Sequence, residues 1–286
     1  MIPPPFDYVR ASSVDEAVGA LSQHGEEAKV LAGGHSLLPL MKLRLAYPSA
    51  LIDVTRVDEM RGVREDGDHL VIGAATTHYD VVHDPLVARH CGVIPETVEQ
   101  IGDPQVRHRG TFGGGLAHGD AASDLPALAV ALGAELVVAG PGGRRTVPAS
   151  DFFVDYLQTA LAPDDVLVEV RVPKLGPEWG YSYQKFNRVA QAWAIVGSCA
   201  LVRRDNGTIG EARIALTNMA STPVRATAAE QALAGAASGA VADACDLAAE
   251  GTNPPEDLNA RADYRQHLAR VMTRRAVEAA LGAASA

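Results

Sequence analysis

Two glycine-rich runs carry the residue types that could bind an anion: Leu31-Ala32-Gly33-Gly34-His35-Ser36 and Arg109-Gly110-Thr111-Phe112-Gly113-Gly114-Gly115. Paired glycines directly after a strand allow a positive φ and clear side chains from the backbone surface. Successive N–H groups there can form a concavity for a diphosphate. Three glycines in a row cost chain entropy, and close approach to a ligand is one reason to keep them. Thr111 adds a hydroxyl suited to a phosphate oxygen. Neither run matches the G-x-x-x-x-G-K phosphate loop or the G-x-G-x-x-G fingerprint with a downstream ribose acid. An ordinary tight turn is the competing reading of either run alone.

A third feature is Ala121-Ala122-Ser123-Asp124-Leu125-Pro126. Ser123 or Asp124 suits a helix N-cap. Asp124 could also accept from a hydroxyl-rich ligand such as a ribityl chain. His78, His83, His90, His108 and His118 crowd one region, but none has metal-ligand spacing on a helix, and no H-E-x-x-H occurs. No G-x-S-x-G nucleophile motif is present. Cys91, Cys199 and Cys245 are scattered; an iron–sulfur cluster or structural zinc normally needs four soft ligands. They read as small buried hydrophobes in a reducing compartment.

The elements that position these runs alternate helix and strand. Ser13-Val14-Asp15-Glu16 is a capping box, Ala17, Val18 and Leu21 form an apolar face, and Gly25 is a stop. Strands are expected at Lys29–Leu31, running straight into the first glycine run, and at Leu51–Val54, Leu70–Gly73, Leu136–Val138 and Val166–Val172. A helix is expected over Leu125–Leu132. Lys174-Leu175-Gly176-Pro177 reads as a domain linker. Beyond it, strands at Trp193–Val202 and Ile209–Leu216 are joined by a turn at Asp205-Asn206-Gly207. Helices follow from about Pro223 into the Ala-rich 230s and from about Ala262 to Leu281.

The 286 residues suit one large or two modest domains, with 47% hydrophobic and 21% charged residues. A net charge of −10 argues against nucleic acid as the main partner. The start lacks a signal-peptide pattern, and Leu125 to Gly140, interrupted by Glu135, is too short to span a membrane. A cytoplasmic location is expected.

Together, Ala32-Gly33-Gly34-His35-Ser36, Arg109-Gly110-Thr111-Phe112-Gly113-Gly114 and Asp124-Leu125-Pro126 resemble the FAD-binding medium subunits of the molybdenum hydroxylases, the xanthine dehydrogenase and carbon monoxide dehydrogenase family. The run from Gly33 to Ala46 and the separate-chain length look most like the carbon monoxide dehydrogenase branch. Asn218-Met219-Ala220-Ser221-Thr222-Pro223-Val224-Arg225-Ala226 also looks like this family. The resemblance covers essentially the whole chain, and the spacing of the paired loops is its specific part.

The resemblance implies an α+β fold: a two-lobed FAD domain of the PCMH/VAO type over residues 1–174 (lobes about 1–57 and 58–174), then a smaller α+β domain of antiparallel strands and helices over 178–286. It implies non-covalent FAD, with Leu31, Ala32, Gly33, Gly34, His35, Ser36 and Leu37 at the diphosphate. Thr111, Gly113, Gly114 and Gly115 would complete that cradle, with Asp124 at ribityl or ribose hydroxyls. Ile101 and Gly102 would line the flavin or adenine pocket, Leu167 would pack on the cofactor, and Lys185 would sit near the flavin ring. The molybdenum cofactor would lie on a large partner subunit and two 2Fe–2S clusters on a small one. The complex would be a dimer of heterotrimers with peripheral membrane association, passing electrons to an acceptor such as a quinone.

Two departures stand out. Gly115 occupies a place where relatives often have Asn or Ser. Trp193, in Ala190-Gln191-Ala192-Trp193-Ala194, stands near a common Tyr, and it could stack on the flavin or sit in the core. Rival readings are a stand-alone flavin oxidase with covalent flavin on His35, and a non-enzymatic nucleotide-binding protein.

Overall fold

Ser13 starts the first helix, Val14–His24: its Oγ accepts the Glu16 N–H at 3.1 Å, and Gly25 ends the helix at φ 74°. The return bond of the capping box is displaced by one residue, because Glu16 accepts from the N–H and hydroxyl of Ser12. Val14, Ala17, Val18 and Leu21 are buried. This helix packs on a parallel three-stranded sheet made of β1 (Asp7–Arg10), β2 (Ala28–Leu31) and β3 (Ala50–Asp53), in the order β1-β3-β2. The computed structural model describes residues 2–205 and 207–284.

The second lobe is built on an antiparallel sheet of β4 (Val63–Asp66), β5 (His69–Gly73), β6 (Glu135–Gly140), β7 (Gly143–Pro148) and β10 (Val166–Pro173). The short pair β8 (Phe153–Asp155) and β9 (Gln158–Thr159) lies apart, and the five-stranded order is β4-β5-β10-β6-β7. Six short helices between His78 and Leu132 cover it. In the last of these, Asp124–Leu132, all nine residues are buried. Such a helix carries no amphipathic stripe, because protein surrounds it on every side. The alternation of β10 sets Glu169 and Arg171 on one face, yet Glu169 is buried, and Arg64 holds its carboxylate at 2.6 Å.

The third sheet contains β11 (Trp179–Phe186), β12 (Val196–Asp205), β13 (Thr208–Thr217) and β14 (Val224–Arg225), hydrogen-bonded in that order. Successive side chains point to opposite faces. Tyr183, Cys199, Leu201 and Ala215 join the core of the two N-terminal lobes. Ala200, Val202, Ile214 and Leu216 face a second core closed by the long helix Ala262–Ala283. With both faces covered, β12 is buried throughout its first seven residues.

Several expected elements move. The strand expected from Trp193 begins at Val196, where pairing with Phe186 of β11 begins. The helix expected from Pro223 begins at Thr227, because Val224 and Arg225 pair with Leu216 and Ala215 as an edge strand. β1, β4, β7, β8, β9 and β11 are additions. Lys174–Pro177 is no slack tether: the N–H groups of Lys174 and Leu175 donate to Asp68 O and His90 O, both at 2.9 Å. Of the expected hairpin turn, Asn206 lies outside the described residues.

Candidate functional site

The first glycine run leaves the end of β2 and meets the second run backbone to backbone. A Cβ on Gly33 would stand 2.3 Å from Arg109 O and 2.6 Å from the Gly110 Cα. Gly34 has φ 75°, a conformation L side chains rarely adopt. Among the described residues, the N–H groups of Ala32, Gly33, Gly34, His35 and Ser36 find no acceptor. Five free donors in sequence suit the oxygens of a diphosphate.

The second run is different. Of its N–H groups, Phe112 donates to Thr76 O and Gly113 to Ala74 O at 2.9 Å, Gly114 to Thr111 Oγ1 at 3.1 Å and Gly115 to Thr111 O at 3.0 Å, while that of Thr111 finds no acceptor among the described residues. Thr111 Oγ1 accepts as the N-cap of the helix Phe112–Ala117, which leaves its hydroxyl hydrogen to donate. The second half of the cradle expected from Thr111, Gly113, Gly114 and Gly115 thus offers fewer free main-chain donors than the first. The first run has five free main-chain donors, and the second has the Thr111 N–H and hydroxyl. Gly114 is helical, and its Cβ would meet Thr111 Oγ1 at 2.6 Å.

Both runs line a cavity of about 630 Å³. Leu31 to Leu37, Ile101, Gly102, Thr111, Gly114, Gly115, Asp124, Lys185 and Trp193 are all at its wall. Gly113 and Leu167 are not among the lining residues. Gly113 is a packing glycine, whose Cβ would stand 2.4 Å from that of Ala74. Leu167 is buried in the core of the two N-terminal lobes, where a register shift on β10 places it opposite Val138. Trp193 is 54% exposed at the rim, so it is not a core residue.

Asp124 and Lys185 occur together. Lys185 Nζ lies 2.8 Å from Asp124 Oδ2 and donates to Gln100 O at 3.1 Å; the Tyr183 hydroxyl donates to Asp124 Oδ1 at 2.6 Å. All three side chains are buried. Burial pushes the Asp124 carboxyl above the usual carboxylate range, against the opposing pull of the Lys185 ammonium and the Tyr183 hydroxyl. Burial and the Asp124 charge push the Tyr183 hydroxyl well above its usual value. Tyr183 and Lys185 sit two apart on β11, so they share a face, and Asp124 meets them from the first turn of its helix.

Sequence reasoning missed other wall residues, among them His78, Val106, Gly110, His118, Ser123 and Gln191. Gln191 Nε2 donates to Asp103 Oδ2 at 2.8 Å, tying the Trp193 loop to the segment after Gly102. No signal in the sequence ties these to the site, except that Gly110 belongs to the second glycine run and Ser123 to the Asp124 motif. All three cysteines are buried, and burial pushes the Cys91 thiol up to about 12. Among the described residues no group of His, Cys, Asp and Glu could hold a metal ion, and no helix is long and apolar enough to cross a membrane.

This set of groups fits an FAD: free main-chain donors for the diphosphate, a hydroxyl beside them, and a long partly apolar cavity within the usual range for ligand sites, about 300–1,000 Å³.

Comparisons with known proteins agree with that fit. Residues 4–175 match the FAD binding domain in molybdopterin dehydrogenase, and residues 181–280 match the CO dehydrogenase flavoprotein C-terminal domain. The chain is 46% identical to the carbon monoxide dehydrogenase medium chain of Hydrogenophaga pseudoflava and 41% identical to that of Afipia carboxidovorans, over 98% of this chain and of each relative. A solved structure of carbon monoxide dehydrogenase from Hydrogenophaga pseudoflava, lacking the Mo-pyranopterin moiety of its cofactor, contains a chain that superposes with TM-score 0.97 at 47% identity, over 100% of both chains.

Proposed function

This chain belongs to the family of FAD-binding medium subunits of the molybdenum hydroxylases, and we propose from that premise that it serves as the FAD subunit of an aerobic carbon monoxide dehydrogenase. The observation that carries the binding role is the row of free N–H groups from Ala32 to Ser36 in the wall of the cavity. When bound, FAD supplies the redox chemistry, accepting electrons from iron–sulfur clusters of a partner and delivering them to an acceptor such as a quinone.

The chain's own residues bind and orient. The N–H groups of Ala32 to Ser36 and the Thr111 hydroxyl hold the diphosphate. Ile101 and Gly102 shape the pocket, Trp193 shields its rim, and Lys185 presents a positive charge already balanced by Asp124. Asp124 contributes to the site through Lys185 and Tyr183, and both its oxygens are engaged by them. His35 is exposed in the wall; the cofactor is held non-covalently.

A large molybdenum subunit and a small iron–sulfur subunit complete the enzyme, in a dimer of heterotrimers located in the cytoplasm and peripherally associated with the membrane. The similarity to two carbon monoxide dehydrogenase medium chains over nearly their whole length supports the choice of parent reaction. Residues 1–174 form the FAD-binding unit and 178–286 the C-terminal unit. Acid precipitation of the purified chain tests the cofactor: one FAD per chain enters the supernatant. Flavin left in the pellet would indicate attachment at His35, and a colourless folded chain that refuses FAD would remove the proposal.

A further inference from the structure

His78 is a buried histidine in the wall of the cavity, outside every motif that led to the site. It is the first residue of the helix His78–His83, and its own N–H donates to Gly110 O at 2.9 Å. Its ring lies against the second glycine run: a Cβ on Gly110 would stand 2.9 Å from its Cδ2 and 3.1 Å from its Nε2. Gly110 is in turn the residue that Gly33 touches, so the ring sits one backbone away from the free N–H row.

The two ring nitrogens differ. Nδ1 is fully enclosed and has no hydrogen-bond partner. Nε2 is not enclosed in this way, makes no hydrogen bond among the described residues, and belongs to a cavity-wall residue. Burial, with the charges of Arg107 and His35, pushes the ring down to about 4, so it is neutral at pH 7. A neutral imidazole carries one proton. Placed on Nδ1, the proton would have no acceptor, whereas on Nε2, which is not enclosed in this way, it can be given to a ligand oxygen. The proton therefore belongs on Nε2.

We propose that His78 is a diphosphate ligand, donating its Nε2–H to a phosphate oxygen of the dinucleotide bound on Ala32 to Ser36. This rests on the reading of the cavity as an FAD site. His78 adds a side-chain donor on the face where, in the second glycine run, Thr111 alone keeps a main-chain N–H without an acceptor among the described residues.

The test uses the full chain, freed of FAD and titrated with it. Gln can place a donor near the position of Nε2, and Asn near that of Nδ1. His78→Gln is expected to bind within a few-fold of wild type. His78→Asn and His78→Phe should lose about one to two orders of magnitude, the range for a hydrogen bond to a charged group. Long-range ¹⁵N–¹H spectra of the FAD-loaded wild-type chain should show the Nε2-protonated ring, a readout that needs no variant to fold. A folded His78→Phe chain with wild-type affinity, or a ring protonated at Nδ1, overturns the inference alone. A wild-type chain that takes up no FAD overturns the cofactor reading and this inference with it.

Discussion

Asp124 and Lys185, 61 residues apart in the chain, meet as an ion pair at 2.8 Å with both side chains buried. Asp124 begins a helix of the FAD lobes, and Lys185 is on the first strand of the C-terminal sheet. The pair, with the Tyr183 hydroxyl, thus fastens one unit to the other at the cavity wall. Removing one partner of a buried pair leaves an uncompensated charge and costs about 3–5 kcal/mol.

Lys185→Met should therefore destabilise the chain by about that amount, and the double change Asp124→Asn with Lys185→Met by clearly less than the sum of the single changes. Urea unfolding of the FAD-free chain measures this. Additive losses would mean that the two side chains do not act as a pair.

Gly33→Ala should abolish FAD retention, because its Cβ would meet Arg109 O at 2.3 Å and force the two runs apart. Gly142→Ala, with open space around its Cβ, is the matched control. The readout is FAD released by acid per folded chain. Full retention in the Gly33 variant would show that the contact between the runs does not build the site.

Thr111→Val removes both the cap to Gly114 and the free hydroxyl; loss of such a cap costs about 0.5–2 kcal/mol. The melting temperature should fall, and FAD affinity should fall with it. Thr111→Ser should restore both. A variant that loses stability but keeps FAD affinity would confine Thr111 to capping.

His78 gives a pH dependence with a definite sign. Its folded value, about 4, lies below the usual 6.5. The unfolded chain thus binds a proton that the folded chain refuses. The contribution is whole above pH 6.5 and is lost as pH falls through 4, to a limit of about 3 kcal/mol. Stability of the FAD-free chain, measured from pH 7.5 to 4 in wild type and His78→Gln, should show this extra loss in wild type only. Parallel curves would mean that the ring charges freely in the fold.

The purified chain alone should turn over neither carbon monoxide, purines nor aldehydes, although strong artificial donors should reduce its flavin. Its three cysteines lack cluster spacing, and on the proposed function substrate electrons reach the flavin through clusters on a partner. Substrate-dependent bleaching of the flavin in the single chain would promote a stand-alone oxidase.

What the amino-acid sequence determined by itself was whatever depends on a few consecutive residues. The cap at Ser13, the stop at Gly25, the strand before Ala32 and both glycine runs are local backbone requirements, legible because Ser, Gly and β-branched residues express them over short windows. The paired runs also carried the family resemblance, and with it the roles expected of Asp124 and Lys185. Tertiary structure decided what those residues do. That Gly33 is small for the sake of Gly110, that Gly113 packs on Ala74, and that Asp124 is held by Lys185 and Tyr183 are contacts between distant segments. Their strength comes from burial, which no residue carries in its own type. His78 is the clearest case. In the sequence it is one of several histidines without a pattern, and only the packing of its helix against the second run sets its ring in the cavity wall, with Nδ1 enclosed and unpaired.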